Sequence, residues 1–474
     1  MPGVRYAGNP LSNLAHVPGT WKGRQVHYPI TIVNPWDSDQ VFLYHGGGGF
    51  ISANYSIGIA TADITDPTNW TNGSNPIITT PAGTGCIIGP DGVFYNSSTD
   101  EIWLFATIYA SGFTSSWQGL FKSSDGYSFT YYGATISPSG DETMVGNSGY
   151  LEDGNDLYCY YTYRTEAATL PGIRLATFTN WKTSTPSFDK QGAVISTGSA
   201  GSYDSKYIEG CQVLKLGSTY VIFYSCFNGT DFTDGDWSSA FATSSSYNGT
   251  FTKEPTNPVF TKGPSGQWDG RYESCAHISQ INANWYLFYQ GAQAKNFQNY
   301  TVDYTTDTLT SNGHGLLLND MIQLSTTGTH PAGLNGGTSY FVANPAANTF
   351  KLSASENGSP INITGNGSGT LSFIDDPMGY NASLWDTGLV EIAERFVMSE
   401  MSSDTLMEGT TLIRTAGTFS LDEMSSDSIM EGLELVQASF SNIRKADGTQ
   451  AGIRRKIDGT PAGVLRKFAS GVWQ

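Results

Sequence analysis

A short two-stranded unit recurs along the N-terminal part of the chain, and it constrains the fold more than any other feature. Each copy ends in four residues rich in aromatic and branched side chains, at positions 41–44, 102–105, 157–160, 221–224 and 286–289. The corresponding residues Leu43, Leu104, Tyr160, Ile222 and Leu287 are 61, 56, 62 and 65 residues apart. Alternating polarity and Gly- or Asn-containing turns indicate β-hairpins. A long-period repeat of strands and turns predicts a propeller or an array.

The spacing from each hairpin to the next strand predicts an insertion in the fifth unit. This spacing is 13 residues from Tyr44 to Ile57, and in the fifth unit we expect the matching strand at 379–382, together with Trp385, starting 90 residues beyond Tyr289. The sequence therefore predicts an all-β chain: a five-bladed β-propeller over 1–298 and 374–397, an inserted β-module over 299–373, and a repetitive, β-rich C-terminal segment over 398–474. Short alternating strands and Gly or Asn turns characterise the insertion.

The C-terminal segment contains two short repeats. Residues 400–409 recur at 423–432 with a period of 23, and residues 443–452 recur at 453–463. Units this short cannot bury a hydrophobic face alone and need neighbours or partner chains. The insertion resembles a small β-domain of bacteriophage tail and tail-fibre proteins, and residues 468–474 resemble the C-termini of such proteins. The resemblance implies an assembly or docking segment. The alternative is a solvated charged tail, since 443–474 holds seven Lys or Arg against two Asp.

Composition excludes several classes of function. The 474 residues carry a net charge of −18, which disfavours a general nucleic-acid binder. No apolar run has the length of a membrane span, and the first residues do not resemble a signal peptide. The five cysteines are odd in number and lack a Cys-x-x-Cys pair, so we expect reduced core cysteines rather than disulfides or a zinc site.

One carboxylate is the leading candidate for chemistry. Ile208-Glu209-Gly210 opens a predicted strand at the head of the fourth unit. It resembles the Glu-Gly-Pro motif of five-bladed glycosidases of the arabinanase and β-xylosidase type, with Cys211 in place of the proline. The resemblance covers about 1–295 and 376–397 and implies that Glu209 is the general acid. A glutamate whose carboxylate simply binds backbone amides at a turn is the alternative.

The second carboxylate that glycoside hydrolysis requires is not found at the family's positions. The family's Asp-Pro in the first inner strand corresponds to Tyr28-Pro29, so Tyr28 occupies the base position and His27 points to the opposite face. The third acid falls at Gly146-Asn147. A tyrosine nucleophile is one interpretation, since sialidases use one, and a degenerate site is the plainer one.

The same resemblance suggests further site residues. Pro90-Asp91 corresponds to a blade-two Pro-Asp segment, and His277 to a histidine near the axis, beside an axial Ca2+ as candidate cofactor. An ordinary turn for Asp91 and a hydrogen-bonded core histidine for His277 are the alternatives. His27 is a further candidate for ligand binding. Aromatic residues in predicted loops are candidates for stacking on sugars: Trp36, Tyr55, Trp117 and Trp237.

Three functions fit these patterns. The first is a bacteriophage virion protein of the tail, fibre or baseplate, whose propeller binds a host-surface polysaccharide through a degenerate catalytic site. The second is an active glycoside hydrolase or depolymerase, and the third a purely structural tail component. The first predicts homo-oligomers, contacts with other virion proteins, no nucleic-acid partner and no membrane span. It also predicts synthesis in the host cytoplasm and final location in the extracellular particle.

Overall fold

A computed structural model gives the arrangement of the chain. The residues that the structure describes are 3–15, 21, 25–48, 55–111, 114–165, 172–229, 237–264, 267–270, 272–282, 284–292, 298–314, 316, 318–336, 338–355, 357–375, 385–392, 452–453 and 464–465. Apart from one 3-10 turn at Ser12–Leu14, all regular structure in these residues is β. They contain no helix of the length and hydropathy that a membrane crossing requires.

The first two groups of strands contain the first two predicted hairpins. The chain starts with β1 (Gly3–Arg5) and continues into the first group, β2 (Gln25–Val33), β3 (Gln40–Gly48), β4 (Ser56–Asp63) and the short edge strands β5 (Thr71–Asn72) and β6 (Ile78–Thr79). The second group is β7 (Cys86–Asn96), β8 (Glu101–Tyr109), β9 (Ser116–Ser123) and β10 (Thr130–Ile136). Within each group, consecutive strands pair antiparallel, except that β5 and β6 both pair with β4.

The third and fourth groups repeat this pattern. The third is β11 (Glu142–Asp153), β12 (Asp156–Thr165), β13 (Gly172–Phe178) and β14 (Asp189–Ser196). The fourth is β15 (Tyr207–Leu216), β16 (Thr219–Phe227), β17 (Trp237–Ser244) and the edge strands β18 (Thr252–Lys253) and β19 (Phe260–Thr261). Apolar side chains of neighbouring groups pack against each other, as where Tyr160 and Ile222 share one buried cluster.

The fifth group is completed by both ends of the propeller. β20 (Tyr272–Ile281) and β21 (Asn284–Ala292) form its hairpin, and β29 (Trp385–Ile392) pairs antiparallel with β21 after the insertion. The third strand thus begins at Trp385, and the expected strand at 379–382 lies outside the described residues. The fourth strand is β1, which pairs with β29 and which the sequence did not predict.

The first strands of the five groups touch one another in a closed ring. β2 contacts β7, β7 contacts β11, β11 contacts β15, β15 contacts β20, and β20 contacts β2. Twisted antiparallel sheets arranged in this way around a common axis define a β-propeller. The all-β propeller class predicted from the repeat is therefore confirmed.

The insertion folds as a sheet of its own. It contains β22 (Gln298–Asn299), β23 (Thr301–Asp303), β24 (Thr308–Thr310), β25 (Met321–Thr326), β26 (Ser339–Ala343), β27 (Thr349–Ser353) and β28 (Leu371–Asp375). A separate buried cluster, which includes Leu309, Val342, Phe350 and Phe373, forms its core. The domain boundaries proposed from the sequence stay a prediction.

The chain divides into two compact units, Met1–Phe396 and Val397–Gln474. In the second unit, the structure describes β30 (Gly452–Ile453) and β31 (Val464–Leu465), which pair antiparallel. The first strand lies at the junction of the two copies of the second sequence repeat, and the other follows directly after the second copy. The first repeat, at 400–409 and 423–432, lies outside the described residues.

Candidate functional site

Every first strand carries the same β-bulge. In each, one extra residue is inserted relative to the partner strand, and the register shifts lie between His27 and Ile30, Ile87 and Pro90, Gly146 and Gly149, Glu209 and Gln212, and Ser274 and His277. A bulge bends its strand and re-aims the side chains beside it. The candidate residues Tyr28, Asp91, Asn147, Glu209 and His277 lie at or next to these bulges. We refer to them together as the bulge ring.

Backbone amides released by the bulges bond to side chains of a neighbouring blade. The Tyr28 N–H donates to Gln290 Oε1 at 3.0 Å, and the Asn147 N–H donates to Thr107 Oγ1 at 2.8 Å. Gln212 bonds both the N–H and the carbonyl of Ile278. Each such bond satisfies a group that the sheet leaves open and also joins two blades.

Glu209, the third residue of β15, is 5% exposed and lies beside the third blade. Its Oε2 accepts a hydrogen bond from Asn147 Nδ2 at 3.1 Å. Asn147 has a left-handed backbone with φ of 46°, a conformation that Asn tolerates better than most residues. The predicted general acid is thus in contact with an amide at the place where the resemblance implied a third acid.

A hydrogen-bonded chain continues from Asn147 to a second carboxylate. Thr107, whose Oγ1 receives the Asn147 amide, donates to Asp91 Oδ2 at 2.6 Å, and Gln118 Nε2 donates to the same oxygen at 2.7 Å. Glu209 and Asp91 are therefore connected through Asn147 and Thr107 across three blades.

Asp91 is buried, and this burial raises its pKa to about 7, although hydrogen bonds from Thr107, Gln118 and the Ser148 amide act in the opposite direction. Near neutral pH, a part of the Asp91 population is therefore protonated. Asp91 is thus a buried, hydrogen-bonded carboxyl group that is connected to Glu209 through Thr107 and Asn147.

The charges of Glu209 and Asp91 both act on the phenol of Tyr109. Burial first, and then the charge of Glu209, raise the pKa of the Tyr109 phenol. A phenol whose pKa is raised stays protonated at neutral pH and is a poor nucleophile. Tyr109 is therefore not an ionised group at neutral pH.

Tyr28 and His277 border the axis. Tyr28 has a left-handed backbone with φ of 51° and is half-buried, and its ring makes an edge contact with His27. His277 Nε2 accepts the Thr31 N–H at 3.3 Å, and burial lowers the His277 pKa to about 3. His277 is therefore a neutral, hydrogen-bonded histidine, as its structural alternative proposed.

The contact with Thr31 also bears on the expected axial ion. A ring nitrogen that accepts an amide hydrogen has no lone pair left for a metal, which removes Nε2 of His277 as a ligand. Where the chain is described, no group of three or more His, Cys, Asp or Glu side chains is arranged to hold a metal ion. His277 Nε2 is therefore not available to the axial Ca2+ that the resemblance suggested.

His27 lies away from the axis. Its side chain is 3% exposed and packs between Tyr55 and Gly46, and both ring nitrogens have no hydrogen-bond partner among the described residues. Burial, and then His45, lower its pKa to about 3. A ligand-binding role would require access that this packing does not give, so that expectation is not supported.

Of the four aromatic residues expected in loops, Trp237 and Trp117 lie in strands, while Tyr55 precedes β4 in a loop but is buried. Trp237 is 1% exposed, begins β17 and packs on Phe227, because an aromatic core continues to the end of the fourth blade. Tyr55 is buried, and Trp117 lies within β9. Trp36 alone is exposed in a turn, where its Nε1 donates to Asp100.

A cavity of about 390 Å³ lies along the axis. Its wall includes Tyr28, Asp91, Ser148, Gly210 and His277, and it extends to residues near the far ends of the first strands. Glu209 and Asn147 are not part of this wall. The structure thus separates the candidate residues into the Glu209–Asn147 contact and the axial cavity.

The expected cysteine chemistry agrees with the described part of the chain. Cys86, Cys159 and Cys226 are buried and reduced, and burial raises the pKa of each thiol for which a shift is resolved, Cys86 and Cys226. The side chains of Cys211 and Cys275 lie outside the described residues. Buried, protonated thiols of this kind are inert parts of a core.

Comparison with known proteins gives fold likenesses only. No family model matches the chain, and no curated protein matches it. Among solved structures, it resembles a putative glycosidase from Bacteroides thetaiotaomicron, with a TM-score of 0.49, 13% identity, and 61% of this chain and 93% of the other covered. It also resembles a putative glycoside hydrolase from Parabacteroides distasonis, with a TM-score of 0.48, 13% identity, and coverage of 60% and 92%.

A third likeness is to an α-L-arabinanase from Cellvibrio cellulosa complexed with arabinohexaose, with a TM-score of 0.43, 15% identity, and coverage of 57% and 88%. Scores this low assign no family. The propeller assignment rests on the strand pairing and the closed ring described above.

Proposed function

We propose that this protein is a glycan-binding component of a bacteriophage virion, with a glycosidase-like propeller whose catalytic site is degenerate. The observation that carries the proposal is the contact between Glu209 and Asn147. A carboxylate and an amide side by side offer acceptors and a donor for sugar hydroxyls. They do not supply the acid and base that hydrolysis needs.

The surroundings of Glu209 support sugar binding without hydrolysis, because no second carboxylate is available to act as the base. Glycosidases of either stereochemistry use two carboxylates, one on each side of the scissile bond. The carboxylate connected to Glu209 here is Asp91, and its Oδ2 is occupied by Thr107 and Gln118 inside the blades. Activation of water by a base contributes about 10²–10⁴-fold, so a site without it is slow even when it binds well.

The virion context is supported by the sequence outside the propeller. The resemblance of the insertion to phage tail modules, and the two repeats beyond residue 397, have no use in a free glycosidase. We propose that the segment 398–474 mediates self-association or attachment to other virion proteins. The partner recognised by the propeller would be a polysaccharide of the host surface.

An active glycoside hydrolase is the second candidate, and one observation favours it. The chain Glu209–Asn147–Thr107–Asp91 connects two buried carboxylates. Two carboxylates joined in one hydrogen-bonded chain are a common arrangement for acid and base roles. In this alternative Asp91 would exchange its partners when substrate binds.

The test compares the wild type with Glu209→Gln and Asn147→Asp. Binding and hydrolysis of arabino-, xylo- and fructo-oligosaccharides and of isolated bacterial surface polysaccharide are measured. We expect the wild type to bind at least one of these with no measurable turnover. Glu209→Gln keeps the acceptor for Asn147 and should change affinity by about threefold or less.

Asn147→Asp is a matched change, because Asp tolerates the left-handed backbone as Asn does. It places a second carboxylate against Glu209, and like charges this close raise the pKa of the pair. If the site is a degenerate hydrolase, this variant should bind with altered pH dependence. Robust wild-type hydrolysis that Glu209→Gln abolishes would overturn the proposal in favour of the active enzyme. Failure to bind any glycan would favour the structural spacer.

A further inference from the structure

Three turns of the first two blades form an exposed surface that no role described so far uses. They are the β2–β3 turn (34–39), the β7–β8 turn (97–100) and the β9–β10 turn (124–129). The bulges lie near the starts of β2 and β7, whereas the first two turns follow the ends of these strands. All residues of these turns are described, and none belongs to the wall of the axial cavity. A partner bound at the turns is therefore separate from the Glu209–Asn147 contact.

One carboxylate holds two aromatic rings of this surface in place. Asp100 Oδ1 accepts hydrogen bonds from Trp36 Nε1 at 2.9 Å and from the Tyr95 hydroxyl at 2.8 Å. The two rings make an edge contact, with centroids 6.0 Å apart and planes at 81°. Trp36 is 39% exposed, so its indole N–H is bonded while much of its ring stays in contact with solvent. A ring whose orientation is fixed in advance loses little conformational freedom when a partner binds.

Tyr127 adds a third ring to the surface. It is 44% exposed, and its hydroxyl donates to Gln40 Oε1 at 3.4 Å. Gln40 Oε1 also accepts Asn34 Nδ2 at 3.1 Å, and Asn34 Oδ1 accepts the Trp36 N–H at 3.0 Å. Side-chain hydrogen bonds thus join the three turns and support all three rings. Exposed Trp and Tyr side chains on a fixed support are typical anchors of protein interfaces.

The charge of the turns is complementary to a cationic partner. The turns contain no Lys or Arg and four aspartates, Asp37, Asp39, Asp100 and Asp125. Within the described part of the chain, none of these carboxylates forms a salt bridge. Hydrogen bonds from Tyr95, and then from Trp36, lower the pKa of Asp100, so it is ionised at neutral pH. Complementary charge attracts a basic partner, whereas an acidic polysaccharide is repelled.

The combination of ring and carboxylate favours arginine over lysine as the cation. A guanidinium is planar and weakly hydrated and stacks on aromatic faces, whereas an ammonium is a strongly hydrated point charge. Both ring donors bond to Asp100 Oδ1, and Asp100 Oδ2 accepts no hydrogen bond from the described residues. A guanidinium stacked on Trp36 can therefore donate an N–H to Oδ2.

We propose that the surface formed by Trp36, Tyr95, Tyr127 and Asp100 is a docking site for a protein partner that presents arginine side chains. The rings supply the anchors of the interface, and the aspartates of the turns supply its charge. This proposal does not depend on the glycan-binding function proposed above, because none of its residues contributes to the Glu209–Asn147 contact.

The test titrates the full chain with amidated hexa-arginine, hexa-lysine and hexa-citrulline peptides in a calorimeter. Citrulline has the shape of arginine without its charge. We expect hexa-arginine to bind about fivefold more tightly than hexa-lysine, and hexa-citrulline not to bind measurably. Trp36→Leu should reduce the affinity for hexa-arginine to that for hexa-lysine. Asp100→Asn keeps an acceptor for Trp36 and Tyr95 and should weaken hexa-arginine binding about tenfold, the loss of a hydrogen bond between charged groups.

Tyr304→Leu and Asp303→Asn are the matched controls, because they remove an exposed ring and an exposed carboxylate from the insertion. Both should leave the affinity for hexa-arginine unchanged within about twofold, since a general attraction to the acidic chain does not distinguish the two peptides. The proposal is wrong if hexa-arginine and hexa-lysine bind equally, or if Trp36→Leu and Asp100→Asn bind as the wild type does. Binding of a neutral oligosaccharide that Trp36→Leu abolishes, without a preference for arginine, would also overturn it and make the surface a glycan site.

Discussion

At the scale of single residues, burial shifts the pKa of three ionisable groups of the propeller toward their neutral forms. His27 and His277 have pKa values lowered to about 3 by burial, and Asp91 has a pKa raised to about 7. These groups act on stability in opposite directions with pH. The histidines favour the folded state above pH 6.5 and lose that contribution as the pH falls toward 3. Asp91 favours the folded state at acidic pH and loses that contribution as the pH rises toward 7.

Asp91 gives a prediction with a definite sign. Its carboxyl ionises at about 3.8 in the unfolded chain and about 7 in the folded one, so the folded state holds more protons between these values. The contribution of Asp91 to stability should therefore fall as the pH rises from 4 to 7, by up to about 4 kcal/mol at 1.36 kcal/mol per pKa unit. Because the two histidines act in the opposite direction over part of this range, the Asp91 effect is measured as the difference between the wild type and Asp91→Asn. Asp91→Asn should remove this fall. The measurement is urea unfolding of both proteins at several pH values from 4 to 8.

The control is Asp63→Asn. Asp63 is exposed, and hydrogen bonds from Thr65 lower its pKa, so it is ionised in both states above pH 5. Its difference from the wild type should be constant between pH 5 and 7. Parallel curves for Asp91→Asn and the wild type would contradict the raised pKa of Asp91.

Sequence reasoning at this scale proposed Glu209 and placed Asn147 at the third-acid position, but it did not predict that the two side chains are in contact. The contact with Asn147 joins residues 62 apart, and nothing local marks it. Trp237 was misjudged because polar residues precede it, whereas tertiary packing places it in a strand core. A buried partner depends on which blades are adjacent, and the sequence shows that order only after the fold is known.

At the scale of elements, the sequence predicts most of the strands and, in part, their β-bulges. The hairpins follow from period-two patterns and turn residues. Glycine, proline or asparagine occurs at several of the bulges, as at Pro29, Gly89, Asn147 and Gly210, and such residues inside a strand signal a bulge. β1 could not be predicted, because three residues carry no periodicity and its partner follows the insertion.

The glycine run at the end of β3 gives a prediction at this scale. A Cβ added at Gly46 would lie 2.5 Å from the Ile88 carbonyl oxygen of the next blade and 2.6 Å from the His27 ring. The Ile88 oxygen belongs to a bulge and cannot move without shifting β7. Gly46→Ala should lower the free energy of unfolding by about 1–3 kcal/mol. Denaturant unfolding, monitored by tryptophan fluorescence, measures this loss.

Gly192→Ala is the matched control, because Gly192 also lies in a strand but has nothing within 4 Å of an added Cβ. It should be neutral or slightly stabilising, since alanine restricts the unfolded chain. Equal effects of the two substitutions would show that the first and second blades are not packed as closely as described here.

At the scale of the whole molecule, the propeller is closed by distant parts of the chain. β1 and β29 complete the fifth group, and the insertion lies between β21 and β29, which pair directly. Loop closure becomes only slowly less favourable with loop length, so a folded module between paired strands is tolerated. The repeat predicted this ring, and the long gap after Tyr289 predicted the insertion. The sequence did not show what closes the ring.

The last prediction concerns the segment after residue 397, proposed to mediate assembly. The division of the chain into compact units falls between Phe396 and Val397, so a stop after 397 removes the second unit and keeps β29 with its partners. The short repeats of this segment need neighbours to bury their apolar positions. Truncation should therefore lower the mass measured by light scattering to that of a monomer, while binding of glycan by the propeller persists.

A matched deletion of 466–474 alone keeps both copies of the 443–463 repeat and should keep part of the assembly. The assembly role of this segment is wrong if the full-length chain is already a monomer and the truncated protein still enters virions.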